Sequence, residues 1–159
     1  KANANANTNA NANAVKAAPS SSHSRPTFAV WSPEGNVDDE MTVMTQVAVF
    51  EEWDAAYARA KDGDNIKCMG TVVGNIVLGK AIELIGGEGF ELRPEVCTDR
   101  RKSPKIATLS IQASGVTIRG VTIKAGETSA KGERSMVEIA KGVTDVLLEN
   151  LVCEGNADL

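Results

Sequence analysis

Aromatic residues are scarce in this chain, at 4% of 159 residues. Histidine occurs once, as His23, inside a run of Ser and Pro, where it reads as a solvent-exposed linker residue rather than a metal ligand. The three cysteines, Cys68, Cys97 and Cys153, have no CxxC spacing, so a zinc or redox motif is not indicated. An odd count, with no Asn-x-Ser/Thr acceptor, leans towards a reduced, intracellular setting. No apolar run approaches the roughly 18 residues of a membrane-spanning helix. The net charge of −4 lacks the excess of cations that a nucleic-acid surface needs.

What is present is aliphatic. Hydrophobic residues make up 42%, mostly Val, Ile, Leu and Ala, which suits one domain with a narrow β-rich interior. The stretch from Ala107 to Gly126, ATLSIQASGVTIRGVTIKAG, reads as three short alternating strands separated by turns at Ala113–Gly115 and Arg119–Gly120. Strands so brief do not make an ordinary sheet on their own. They suit a layer that pairs with like layers above and below. The stretch recurs. Met136–Ile139 matches the Leu109 strand, and Gly142–Thr144 matches Gly115–Thr117. Leu148–Cys153 matches Ile118–Ile123, and Ala81–Gly87 matches Gly115–Val121. The register points are Gly86, Gly120 and Asn150, residue types that tolerate left-handed backbone angles. In this register Cys153 replaces Ile123 and is expected to face the core.

Upstream, residues 1–14 are low-complexity Asn/Ala sequence and are expected to be disordered. Residues 15–35 continue as a linker, with Phe28, Val30 and Trp31 as an apolar island. Asp38–Asp39–Glu40 reads as solvated. Met41–Val49 alternates like a strand, and Phe50, Trp53, Ala56, Tyr57 and Ala60 share one helical face. Asp62–Gly63–Asp64 should end that helix. The expected organisation is a low-complexity tail and linker over residues 1–40 and one domain over 41–159, with a capping helix at about 50–61 and coils at about 64–155.

The run Phe50–Trp53, Ala56, Ala58–Ile66, then Gly70–Thr71 and Asn75–Gly86, resembles the start of a right-handed parallel β-helix domain of the pectin-lyase-like superfold. That group includes periplasmic copper-accessory proteins, polysaccharide lyases and hydrolases, and the substrate-recognition region of some F-box proteins. The resemblance covers roughly residues 50–155. It implies an all-β fold: a right-handed parallel β-helix of about three coils behind an N-terminal capping α-helix. The chain stops directly after a strand, so continuation, or a partner on that edge, is expected.

Lyases of this group use a calcium-binding acidic cluster with a basic residue, and its hydrolases use stacked aspartates. Here the outward acids on the strands are Glu83, Glu138, Asp145 and Glu149, and the repeat alignment stacks none on another. Arg119 is placed beside Glu149 as a cross-layer ion pair. No catalytic residue, cofactor or metal ligand is assigned. Two loops, Glu88–Lys105 and Gly126–Ser135, leave the repeat at similar places and form a candidate rim: Arg100, Arg101, Lys102, Lys105, Lys131 and Arg134. The expected function is a non-catalytic module that binds a protein or polysaccharide ligand along this loop face, with edge-to-edge self-association as a further property. The alternative is the N-terminal part of a polysaccharide lyase or glycoside hydrolase.

Overall fold

The computed structural model describes residues 25–34, 43–95, 107–125 and 135–155. Thirteen strands and one helix follow in order: β1 (Thr27–Glu34), β2 (Val43–Phe50), α1 (Trp53–Arg59), β3 (Asn65–Met69), β4 (Thr71–Val73), β5 (Ile76–Leu78), β6 (Glu83–Gly86), β7 (Glu91–Arg93), β8 (Leu109–Ile111), β9 (Thr117–Arg119), β10 (Thr122–Lys124), β11 (Val137–Ile139), β12 (Leu147–Glu149) and β13 (Val152–Glu154). They form three sheets. One has the order β12-β9-β6-β3-β1-β2, one β13-β10-β7-β4, and one β11-β8-β5. From β3 onward every pairing is parallel, whereas β1 pairs antiparallel with both β2 and β3.

The expected all-parallel right-handed β-helix is therefore corrected. The architecture is a three-sheet β structure, one sheet mixed and two parallel, with a single short helix. The overturning element is the β1–β2 hairpin. Thr27–Glu34 lies in what reads as linker, because Ser32, Pro33 and Pro26 are breakers in isolation. Phe28 and Val30 nevertheless bury fully and carry β1 onto β3. Its pairing with β3 ends at Trp31, so at Pro33 the strand has one neighbour only and a proline breaks no second ladder. The edge of β3 is thus covered by a strand rather than by the helix.

Helix α1 is shorter than expected, and Phe50 belongs to β2. It packs on the hairpin through a row of aromatic contacts. Phe28 meets Trp53 edge-on at 5.7 Å, and Trp53 stacks on Tyr57 at 5.3 Å. The Lys80 ammonium lies 4.6 Å from the Tyr57 ring centre and donates to the Tyr57 and Ala60 carbonyls at 2.6 and 2.7 Å. A cation on the last carbonyls completes the helix end. The Tyr57 hydroxyl accepts from the Gly79 N–H, Asp62 accepts from the Ala81 N–H, and buried Asp64 accepts from the Lys61 N–H.

The core is aliphatic and layered. Ile66, Leu84 and Ile118 stack in one sheet, and Ile76 and Leu78 pair with Leu109 and Ile111 in another. Leu92 and Ile123 stack in the third. All nine are fully buried. Within each layer the chain turns from one sheet to the next at Gly86, Gly120 and Asn150. Gly120 and Asn150 have φ of 65° and 52°. Gly86 is demanded by crowding instead: a Cβ there would sit 2.1 Å from the Gly120 carbonyl oxygen. The repeat alignment needs one shift. Leu147 pairs with Thr117, so Asp145 (φ 55°), not Gly142, stands opposite Gly115 (φ 73°).

Cys153 also departs from expectation. It pairs with fully buried Ile123, yet it is exposed because β13 has no neighbour beyond it among the described residues. Cys68 is fully buried, and burial pushes its thiol pKa up, away from the reactive thiolate. No helix among the described residues is long and apolar enough to cross a membrane.

Two outcomes are expected. Gly86→Ala should destabilise the fold by about 3 kcal/mol or more, since backbone must move to admit the methyl group; urea unfolding measures this. In a Cys97→Ser background, iodoacetamide should modify Cys153 in the native protein while Cys68 reacts only on unfolding, read by mass spectrometry of digested protein.

Candidate functional site

The expected rim residues Arg100, Arg101, Lys102, Lys105, Lys131 and Arg134 all lie outside the described residues, as do Cys97, His23 and Asp38–Glu40. The described residues offer two other features: a charged side face and a cleft.

The side face is built by the outward positions of two sheets. On β6, β9 and β12 the register sets Glu83 opposite Thr117 and Arg119 opposite Glu149. Arg119 Nε lies 3.0 Å from Glu83 and 3.0 Å from Glu149. One cation thus joins three layers. The pattern recurs across the turn. Lys124 Nζ on β10 lies 2.8 Å from Glu91 on β7 and 3.6 Å from Glu154 on β13. In both stripes the middle-layer cation meets the acid opposite it on one side and the diagonal acid on the other. Only the Arg119–Glu149 contact is expected from the sequence. Lys124, Glu91 and Glu154 follow once the registers of Thr122 with Glu91 and with Val152 are known, because the next outward residue is two positions on.

Glu91 is the most engaged acid. Its carboxylate also accepts from the Arg93 guanidinium, at 2.8 and 3.1 Å. Hydrogen bonds from Lys124 first, then Arg93, hold its pKa below the usual carboxylate range. The Glu91 hydrogen bond in turn raises the Lys124 pKa. A depressed carboxylate stabilises the fold above its ordinary pKa, and that contribution is lost as pH falls through the folded value. A raised amine stabilises below its ordinary pKa and loses this as pH rises through the folded value.

The cleft has a volume of about 340 Å³ and opens to solvent. One wall is the hairpin and helix start: Pro26, Phe28, Glu51, Glu52, Trp53 and Asp54. The other is the run from Thr71 to Ile76, covering β4, the following turn and the start of β5. Half-buried Trp53 supplies an aromatic surface, and Val73 on β4 is 62% exposed. Sequence reasoning places Trp53 on the buried helix face. Its cleft-facing role depends on β1, which the sequence hides. Among the described residues no group of three His, Cys, Asp or Glu side chains is arranged to hold a metal ion.

Across pH the side face makes a test. Glu91→Gln should be less stable than the parent at about pH 7, and the gap should close towards about pH 3 as the parent carboxylate protonates. Urea midpoints of the two proteins across this range measure it. No family model matches the chain, and neither a curated protein nor a solved structure matches it.

Proposed function

We propose that this protein is a binding module that recognises a protein or glycan along its side, and that it does so without chemistry on the ligand. The cleft beside Trp53 carries this reading: it pairs an aromatic surface with an open strand edge and carboxylates at its mouth. Sites that orient a ligand are concave, mostly apolar and bear few polar groups. The state of the side-face acids supports the non-catalytic half. Glycoside hydrolysis needs one carboxyl group kept protonated opposite a second that is ionised. Here Glu83, Glu149, Glu91 and Glu154 each contact a cation, and Glu91 is held ionised. A carboxylate kept ionised by Lys124 and Arg93 is a poor proton donor.

The test combines capture with a turnover assay on the same protein. Immobilised polysaccharides, pectic and neutral, and a display library of peptides are offered to the folded chain. Retention of a ligand with no new reducing ends and no unsaturated product, with and without calcium, is the expected result. Product release that a chelator abolishes would make the protein a lyase and overturn the reading.

A further inference from the structure

The cleft also says what kind of polypeptide fits it, and the inference rests on the binding reading above. Strand β4 ends its sheet and pairs only with β7 among the described residues. The Glu91 N–H donates to the Gly70 carbonyl, and the Gly74 N–H donates to the Arg93 carbonyl. Backbone groups alternate sides along a strand. Gly70, Val72 and Gly74 therefore face β7, and the N–H and C=O groups of Thr71 and Val73 face away from it. That free edge forms one wall of the cleft.

The opposite wall is acidic. Glu51, Glu52 and Asp54 line it, all exposed, and among the described residues the one ion pair any of them makes is with Arg25, whose guanidinium lies 4.0 Å from Glu51. Three carboxylates against one guanidinium leave the wall negative. The cation on the β4 side, Arg93, is already engaged by Glu91. The exposed apolar residues at the far end of the sheets, Ile139, Leu147, Leu148 and Val152, offer no such charge to select an occupant.

We infer that the β4 edge takes an extended basic peptide as an added strand, with apolar side chains on the core side towards Val72 and Trp53 and, alternating with them, lysine or arginine side chains that reach Glu51, Glu52 and Asp54. Main-chain hydrogen bonds to Thr71 and Val73 supply the docking, and alternate side chains supply the selectivity. The carboxylates steer a cationic partner and make the binding salt-sensitive.

The experiment uses the full chain carrying Trp31→Phe, which leaves Trp53 as its one tryptophan, and a fluorescein-labelled, amidated peptide alternating lysine and valine, followed by fluorescence polarisation and by tryptophan emission. Binding that weakens with added salt and shifts the tryptophan emission is expected, with no binding of the glutamate–valine counterpart. The variant E51Q/E52Q/D54N should bind about tenfold more weakly. Val73→Pro removes one outward N–H at an edge position and should weaken binding to a similar extent, with circular dichroism unchanged. Equal binding of the acidic peptide, no binding of the basic one, or indifference to both variants overturns the inference. A glycan or protein that the chain retains while the lysine–valine peptide does not bind would sink the inference and leave the binding reading intact. If the capture screen retains nothing, both fall together.

Discussion

The close approach of two turns, at Gly86 and Gly120, sets the spacing of everything built around them. Adjacent strands of a sheet lie about 4.8 Å apart. For β6 to sit on β9 and β7 on β10 at that spacing, the corner joining the two sheets must stack at the same distance. At Gly86 a side chain would meet the backbone of the next corner at 2.1 Å. The third corner, Asn150, tolerates a side chain because among the described residues it has a corner on one side only. Asparagine also accepts the left-handed angle found there, as few other residues do.

That spacing fixes the charged side face as a consequence. Arg119 and Lys124 reach two layers each because their own layer lies in register with both neighbours. The ion pairs are partly exposed, and each is worth a fraction of a kcal/mol. They report the register more than they create it. The buried Ile and Leu columns, at about 25 cal/mol per Å² of apolar surface removed from water, are the larger stabilising force. Charge on this face does more to exclude alternatives. A slip of one residue in β9 would point Arg119 into the core and Ile118 into solvent.

The layer register is legible in the sequence because it depends on residues whose types are constrained. Ile118 with Leu148, Ile123 with Cys153 and Leu109 with Val137 pair as their spacing implies. Where the constraint is weaker the alignment slips: Asp145 adopts the left-handed angle without being glycine, so Gly142 attracts the match. The mixed sheet is not legible. β1 contains Pro33 and Ser32, and its strand character comes from burial of Phe28 and Val30 against β3, a long-range effect no local pattern carries. Cys153 shows the converse failure. Its position in the pattern is core-like, but exposure is decided by whether a further strand follows. The cleft was hidden for the same reason as β1, since half of its wall is the hairpin.

The hairpin then determines how rigid that cleft is. Trp53 is held by the edge-on contact with Phe28 and the stack with Tyr57, and Tyr57 is fixed by the Gly79 N–H and by Lys80. Lys80 in turn closes α1 by bonding two of its last carbonyls. A single chain of contacts thus runs from the first strand, through the cleft wall, to the turn before β6. A wall positioned in this way does not have to be ordered when a ligand arrives, and binding to a preorganised surface avoids that entropic cost. The β4 edge is equally fixed, because Gly70 and Gly74 tie both of its ends to β7. For the proposed ligand, two walls held in this way, one aromatic and acidic and one a strand edge unpaired among the described residues, would suit an occupant that is itself extended over a few residues. A globular surface would have to present such a strand to enter.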